Sequence, residues 1–443
     1  MSNIIPLKRR KQVLKSLKKT IVNHKESILD ALTKDYSKPH FESLSSEYNL
    51  VLNELDYTLK NIDNLCRDER VSPSLMNFPS RSKIKRLPYG KVLLIGPWNY
   101  PFQLIFSPLI GAIAAGNTVV VKPSELSEHT SNICEKIINI SFEKEEVSCR
   151  LGGVEVAREL LEQRWDYIFF TGSVKVGKIV AKAAAENLCP VTLELGGKNP
   201  CIVTKDADLK LSAKRITWGK FTNNGQTCIA PDYLLVDNSI KEKLTQYIQE
   251  SIEEFYGVNP QQNKDYSRII NRSNFERLRD MTKGSTVLYG GTFNETDHYI
   301  SPTLIEGPEL DHPLMLEEIF GPILPIYGYD DISEVREFIG KFEAPLAFYL
   351  FSSKTRWAEK YMSSFSYGGG SINDVMAHFI NSKLPFGGKG HSGLGAYHGK
   401  HSIRTFQHES ALTTKSTWLD IPLRYPPYSN KEKLMSSIMR LFG

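Results

Sequence analysis

From Val92 to Val121 the chain carries no charged residue. The run exceeds the roughly 20 apolar residues that cross a bilayer as a helix, yet it does not read as one helix. Gly96, Pro97, Asn99, Pro101, Pro108, Gly116 and Asn117 interrupt it. The prolines remove backbone donors, and lipid offers nothing to satisfy the groups left open. The run instead predicts a buried strand (91–95), a loop (96–101), a buried helix (102–115) and a second buried strand (118–122). A unit of this kind with no polar face belongs in a parallel sheet covered on both sides. No transmembrane segment is expected.

The same alternation continues through both halves. Strands are expected at 147–150, 166–170, 191–194, 201–204, 233–236, 286–289 and 346–350, with helices at 127–140, 154–163, 174–187, 208–223, 240–255, 274–282, 331–342 and 354–363. Residues 8–65 read as two or more helices with polar faces, and 66–90 as an irregular stretch holding an extended arm or hairpin. Residues 1–25 contain no acidic side chain and carry Lys8, Arg9, Arg10, Lys11, Lys15, Lys18, Lys19 and Lys25. With no apolar run of a signal peptide, this predicts a first helix with a solvated basic face. A length of 443 residues fits two to four domains. The net charge of +5 gives no argument for nucleic acid. Six cysteines without a CxxC pair argue against a zinc ribbon or dithiol, and free thiols fit a reducing cytosol. Lys431–Phe442 places Leu434, Ile438 and Leu441 on one helical face. Packing on its own subunit or a partner is preferred for it, with weak peripheral membrane contact left open.

Several segments point to chemistry. Phe170–Ser173, followed by Gly177, ends a strand and opens a helix, where backbone donors suit a pyrophosphate. The spacing departs from GxGxxG, so it is a weak signal alone. Lys122 and Glu125 follow another strand, where a ribose or phosphate grip competes with a plain solvated turn. Cys228 follows the Asn224–Gly225 turn, polar surroundings that favour a reactive thiol over a small buried hydrophobe. Glu194 ends an apolar strand, where burial raises a carboxyl group and makes it a usable base. Asn99, bracketed by Pro97 and Pro101, presents an amide that suits an oxyanion, or a loop lock.

Taken in order, PWNYP (97–101), KPSE (122–125), FTGS (170–173), ELGGKNP (194–200), GQTCIAPDY (225–233), EEIFGP (317–322) and LPFGGKGHSGLG (384–395) resemble the aldehyde dehydrogenase superfamily. The short N-terminus, NDVMAH (373–378) and YHGKHSIRTF (397–406) are most similar to its class 3, whose members take medium-chain aliphatic and aromatic aldehydes. The resemblance implies an α/β fold with a Rossmann-type dinucleotide-binding domain (1–69 and 89–196), an α/β catalytic domain (197–396), an oligomerisation arm (70–88 and 411–421) and a C-terminal tail (422–443). It implies Cys228 as nucleophile, forming a thiohemiacetal and then a thioester, Asn99 and the Cys228 N–H as oxyanion donors, and Glu194 as base. It further implies Lys122 and Glu125 at the adenine-side ribose, and Trp98, Gly172 and Ser173 near the pyrophosphate. Glu318 would bind the nicotinamide ribose, with Phe320 near the ring. The expected cofactor is NAD, with NADP possible, because Glu125 repels a 2′-phosphate. No metal is expected. A cytoplasmic homodimer acting on a small aldehyde is expected, with His378 and Phe386 as candidates for the substrate wall. Two other readings stand beside it: a Cys228 hydrolase using a histidine, and an idle binding scaffold.

Overall fold

The computed structural model describes residues 4–73, 77–420, 422–429, 431–433 and 435–436. Leu434, Ile438 and Leu441, the expected apolar face of the tail, lie outside the described residues. Four helices open the chain: α1 (Leu7–Asn23), α2 (Lys25–Tyr36), α3 (His40–Ser43) and α4 (Asn49–Leu65), with a π-helical turn, Leu44–Tyr48, between the last two. Two short antiparallel strands follow, β1 (Glu69–Val71) and β2 (Ser80–Pro88).

The charge-free run then folds as expected. It forms β3 (Lys91–Ile95), α5 (Gln103–Ala115) and β4 (Thr118–Lys122). Every residue of α5 is buried, including Pro108. The helix ends at Gly116, whose φ of 106° suits a residue without Cβ. A Cβ there would stand 2.3 Å from the Arg10 guanidinium. Arg10 donates to the carbonyls of Ile5 (2.5 Å) and Ala114 (3.2 Å), so its charge sits at the C-terminal end of the α5 dipole. One of the expected solvated basic residues is therefore buried and used.

The remaining elements of this half are α6 (Glu128–Ser141), β5 (Val147–Cys149), α7 (Val154–Leu161), β6 (Tyr167–Thr171), α8 (Val174–Glu186) and β7 (Val191–Glu194). Strands β7, β6, β3, β4 and β5 lie side by side in that order, all parallel. The chain moves outward from β3 on one side and returns to its other side at β6. The carboxyl ends of β3 and β6 therefore flank the switch point, where ligands of such sheets bind.

The second half builds a seven-stranded sheet from β8 (Pro200–Val203), β9 (Tyr233–Asp237), β10 (Val287–Tyr289), β13 (Thr303–Glu306), β14 (Ile323–Tyr329), β15 (Ala347–Phe351) and β16 (Gly369–Ile372). Its order is β10-β13-β14-β9-β8-β15-β16, parallel except for β10. The small pair β11 (Phe293–Asn294) and β12 (Tyr299–Ile300) stands apart. Helices α9 (Leu209–Phe221) and α10 (Lys241–Tyr256) pack together beside this sheet. The chain then crosses back. β17 (Gly393–Leu394) pairs antiparallel with β7, and β18 (Gln407–Lys415) pairs with β2 along its whole length. Among the described residues no helix is long and apolar enough to cross a membrane.

Candidate active site

Cys228 owes its position to three consecutive left-handed residues. Asn223, Asn224 and Gly225 have φ of 53°, 57° and 70°. Two non-glycine residues in that region cost energy and persist only where the surroundings hold them. Here the buried amides do so. Asn223 Nδ2 donates to the carbonyls of Asn99 (3.0 Å) and Gln226 (3.2 Å), and Asn224 Nδ2 to Ser267 O (2.6 Å). Gln226 donates to Arg268 O (3.0 Å) and accepts from Ile270 N–H (3.0 Å). Gly225 leaves no room for a Cβ, which would lie 2.3 Å from Gly321 O. Beyond the turn, Asn199 Nδ2 donates to the carbonyls of Cys228 (2.8 Å) and Ala230 (3.0 Å), while its Oδ1 accepts from Ala347 N–H (2.8 Å). The thiol is thus mounted on a fixed backbone.

Cys228 faces an apolar cavity of about 610 Å³. Phe41, Leu104, Trp218, Ile229, Phe379 and Phe386 contribute to its wall. Phe386, one of the two expected wall residues, is there. His378 is not among the lining residues and lies behind, nearly parallel to the Phe386 ring at 6.2 Å. Among the described residues that line this cavity there is no histidine. Burial, with Glu318 and Glu194 adding repulsion, pushes the Cys228 thiol well above its ordinary value.

Asn99 is 4% exposed and donates through Nδ2 to Gln226 O (3.0 Å), two residues from the thiol. Glu194 is 3% exposed, and both carboxylate oxygens are buried without a hydrogen-bond partner among the described residues. Burial alone raises its pKa far above the carboxylate range. Such an orphaned carboxyl group is expensive unless it serves a ligand or a proton. Asn99 is thus tied to the turn before Cys228, and Glu194 lies close enough to raise the thiol.

The remaining candidates gather at the carboxyl ends of the first sheet. Lys122, at the end of β4, is 3% exposed and ion-pairs with Glu125 at 2.7 Å. Gly172 follows β6 and donates its N–H to Glu194 O (3.0 Å). Ser173 caps α8, accepting from Val176 N–H (3.4 Å). Trp98 meets the Phe320 ring edge to face at 5.3 Å, and Phe320 has a φ of 52°. Glu318 packs against Gly196, where a Cβ would stand 1.9 Å from its Oε2. Glu318 Oε1 is buried without a partner among the described residues. Burial, with Asp232 adding repulsion, pushes its pKa up to about 8.

Sequence reasoning missed the residues that brace this site. Lys38 and Glu47 are both fully buried and paired at 2.6 Å. Glu47 Oε2 accepts from the N–H groups of Phe102 (2.9 Å) and Gln103 (3.3 Å), capping α5 just after the Asn99 loop. Lys38 Nζ lies 4.0 Å over the Tyr100 ring, and Tyr100 OH bonds Thr227 Oγ1 (2.7 Å), beside Cys228. Tyr36 OH donates to Asn99 O (3.0 Å). Lys198, in the ELGGKNP stretch, ion-pairs with buried Asp232 and donates to Leu314 O (2.5 Å) and Glu317 O (3.1 Å). Asp232 in turn accepts from Ile319 N–H (3.0 Å), so the pair grips the segment on both sides of Glu318. Lys38→Met would leave Glu47 buried and unpaired. The expected destabilisation is ~3–5 kcal/mol, read from urea unfolding; a change below about 1 kcal/mol would contradict this account of the pair.

A model of the aldehyde dehydrogenase family matches residues 3–411. The chain is 45% identical over 433 residues to a 4,4′-diaponeurosporen-aldehyde dehydrogenase of Staphylococcus aureus, covering 97% of this chain and 94% of that protein. It is 44% identical over 455 residues to aldehyde dehydrogenase family 3 member A2 of Pongo abelii, covering 99% and 94%. It is 42% identical over 424 residues to a dimeric NADP-preferring aldehyde dehydrogenase of Canis lupus familiaris, covering 95% and 94%. Among solved structures, the substrate-bound state of Staphylococcus aureus AldH superposes with a TM-score of 0.96 at 44% identity, covering 98% of this chain and 95% of that one.

Proposed function

Because this chain belongs to the aldehyde dehydrogenase family, we propose that its NAD(P)-dependent oxidation of aldehydes to carboxylic acids runs on Cys228, Asn99 and Glu194. The observation that carries this assignment is a half-buried thiol at the cavity wall, a buried amide tied to the turn two residues before it, and a buried carboxyl group, without a hydrogen-bond partner among the described residues, whose charge reaches the thiol.

Cys228 Sγ adds to the aldehyde carbon and forms a thiohemiacetal. The amide of Asn99 has two N–H groups and spends one on Gln226 O. The other, with the Cys228 N–H, holds the oxygen that gains charge. Glu194 takes the proton from the thiol and later from the water that attacks the thioester. Burial holds its pKa well above the ordinary carboxylate range, so its capacity as a base grows as pH rises. Glu194→Gln should lower turnover by about 10²-fold and remove that rising limb of the pH–rate profile. A variant with an unchanged profile would exclude Glu194 as the base.

The polar atoms at the sheet edge suit a dinucleotide. The partnerless Glu318 Oε1 fits a ribose hydroxyl, and the N-terminus of α8 fits a pyrophosphate beside Trp98, Gly172 and Ser173. Lys122 and Glu125 fit the adenine-side ribose, and Phe320 the nicotinamide face. When bound there, a nicotinamide would supply the hydride acceptor that conversion of the Cys228 thiohemiacetal to a thioester requires. Lys122 is already paired with Glu125, so a 2′-phosphate would have to compete with that carboxylate for the lysine, which supports a preference for NAD.

For the division of labour along the chain, we infer a dinucleotide-binding domain of residues 1–69 and 89–196, a catalytic domain of residues 197–396, and an arm of residues 70–88 and 411–421 that joins two copies. The continuous β2–β18 ladder and the dimeric canine relative support the arm and the dimer. Six free cysteines support a reducing compartment such as the cytoplasm. The deciding experiment is NADH and NADPH formation with hexanal, a longer alkanal and benzaldehyde, run beside Cys228→Ala. Cofactor reduction that needs Cys228 supports the whole reading. Cofactor binding with no turnover on any aldehyde would favour an idle scaffold.

A further inference from the structure

The cavity that holds the aldehyde, on the reading above, has an apolar wall set with hydroxyl and amide groups such as those of Ser46, Gln103, Thr222 and Tyr256. Among the described residues that line it only two are charged, Glu42 and Asp265, and both are acidic.

Glu42 is held in place. It projects from α3, and its Oε2 accepts the N–H of Asn223 at 3.0 Å, in the turn that carries Cys228. The groups that face it come from each neighbouring element: Lys38 and Tyr36 from the N-terminal segment, Tyr100 from the loop after β3, Tyr256 from α10, and Asp265. The one cation among them, Lys38, is already paired with Glu47. The wall near Glu42 and Asp265 therefore carries net negative charge when Glu42 is ionised, felt most strongly at half-buried Glu42 and less at exposed Asp265.

We propose that Glu42, backed by Asp265, is a specificity-determining residue of the aldehyde cavity, rejecting aldehydes whose far end is a carboxylate and passing those whose far end is neutral or cationic. An entering carboxylate would lose water and meet like charge, with no cationic side chain among the described lining residues to pair with. An alkyl end pays neither cost. A quaternary ammonium end meets opposite charge.

Burial and Asp265 raise the Glu42 carboxyl group to about 7, against the opposing effect of Lys38. Above that value Glu42 is charged and below it neutral. An ordinary carboxylic acid on the substrate is ionised throughout pH 6–8. The rejection should therefore strengthen as pH rises from 6 to 8.

The test measures kcat/KM for pairs of equal length, an n-alkanal against the ω-oxo carboxylic acid, from four to ten carbons. A trimethylammonio-aldehyde of matched length is the cationic control. At pH 8 the wild type should prefer the alkanal by about tenfold or more at the lengths that reach Glu42. The preference should shrink at pH 6. Glu42→Gln keeps an acceptor for Asn223 N–H and should reduce the preference by about tenfold. Asp265→Asn, at an exposed position, should reduce it by about threefold and serves if the first variant folds poorly. Equal use of ω-oxo acids and alkanals by the wild type would overturn the proposal alone. So would a preference that neither variant changes. Failure of the wild type to oxidise any alkanal would overturn the aldehyde reading and this inference with it.

Discussion

Cys228→Ala leaves no measurable aldehyde oxidation, with turnover falling ~10⁴-fold or more, the scale seen when a covalent nucleophile is removed. The substitution deletes one sulfur from a half-buried position facing a cavity, so little packing is lost. The turn is held by Asn223, Asn224 and Gln226, and the backbone beyond it by Asn199 and by Tyr349 OH, which donates to Ile229 O (2.6 Å). The variant should therefore keep its melting temperature and its affinity for NAD. Steady-state NADH formation with hexanal, a melting curve and a dinucleotide titration check the three expectations together. Activity within tenfold of wild type would remove Cys228 from the mechanism. The same environment predicts how the thiol behaves in the free protein. Burial and two neighbouring carboxyl groups hold it protonated, so alkylation by iodoacetamide should be slow at pH 7 and accelerate as pH rises beyond the range of an ordinary thiol.

Asn99→Ala should cost roughly 10²–10³ in kcat, the usual penalty for one lost oxyanion donor. The effect belongs to the step in which charge builds on the aldehyde oxygen, so dinucleotide affinity should stay near the wild-type value. Part of any loss could come from the turn instead, since Asn99 Nδ2 also ties the loop to Gln226 O. A melting curve separates the two, since a broken tie lowers stability and a lost oxyanion donor does not. Asn99→Asp keeps the shape but loses both N–H donors, the tie included, and points a carboxylate at the developing charge. It should be at least as slow as the alanine variant. Kinetics within about fivefold of wild type for either variant would mean that the oxyanion is held elsewhere.

What was legible in the sequence was local. The strands at 91–95, 118–122 and 191–194 coincide with their expected bounds because short apolar, β-branched runs carry their own signal. β14 was not anticipated. Pro325 and Gly328 lie within it, and proline inside an internal strand runs against the usual pattern. Glu194 stood out as a carboxyl group ending an apolar strand, Asn99 as an amide bracketed by two prolines, and Cys228 as a thiol beside a polar turn. The braces of the site gave no such signal. Lys38 and Glu47 fall within residues 8–65, read as helices with polar faces, where a solvated side chain is the ordinary expectation. Their burial comes from contact with a loop that begins near residue 97, which no local pattern encodes. Arg10 was misread for the same reason, since its partner carbonyl at Ala114 is 104 residues away.

The ladder between β2 and β18 has a consequence for how the chain is made. It joins residues such as Ser82 and Thr413, 331 positions apart. On the ribosome, β2 emerges long before its partner exists. For that interval it is a nine-residue strand with one long edge open, a form that invites mispairing with other nascent chains. Its sequence, SRSKIKRLP, carries Arg81, Lys83, Lys85 and Arg86. Like charges at this density repel a second copy of the same strand and act as gatekeepers against aggregation. The short strand β1 can cover the other edge early, through Asp68 with Lys83 (2.7 Å) and Glu69 with Arg86 (2.7 Å). The basic side chains thus protect synthesis as well as shape the finished ribbon, and removing them would be felt first in the yield of folded protein.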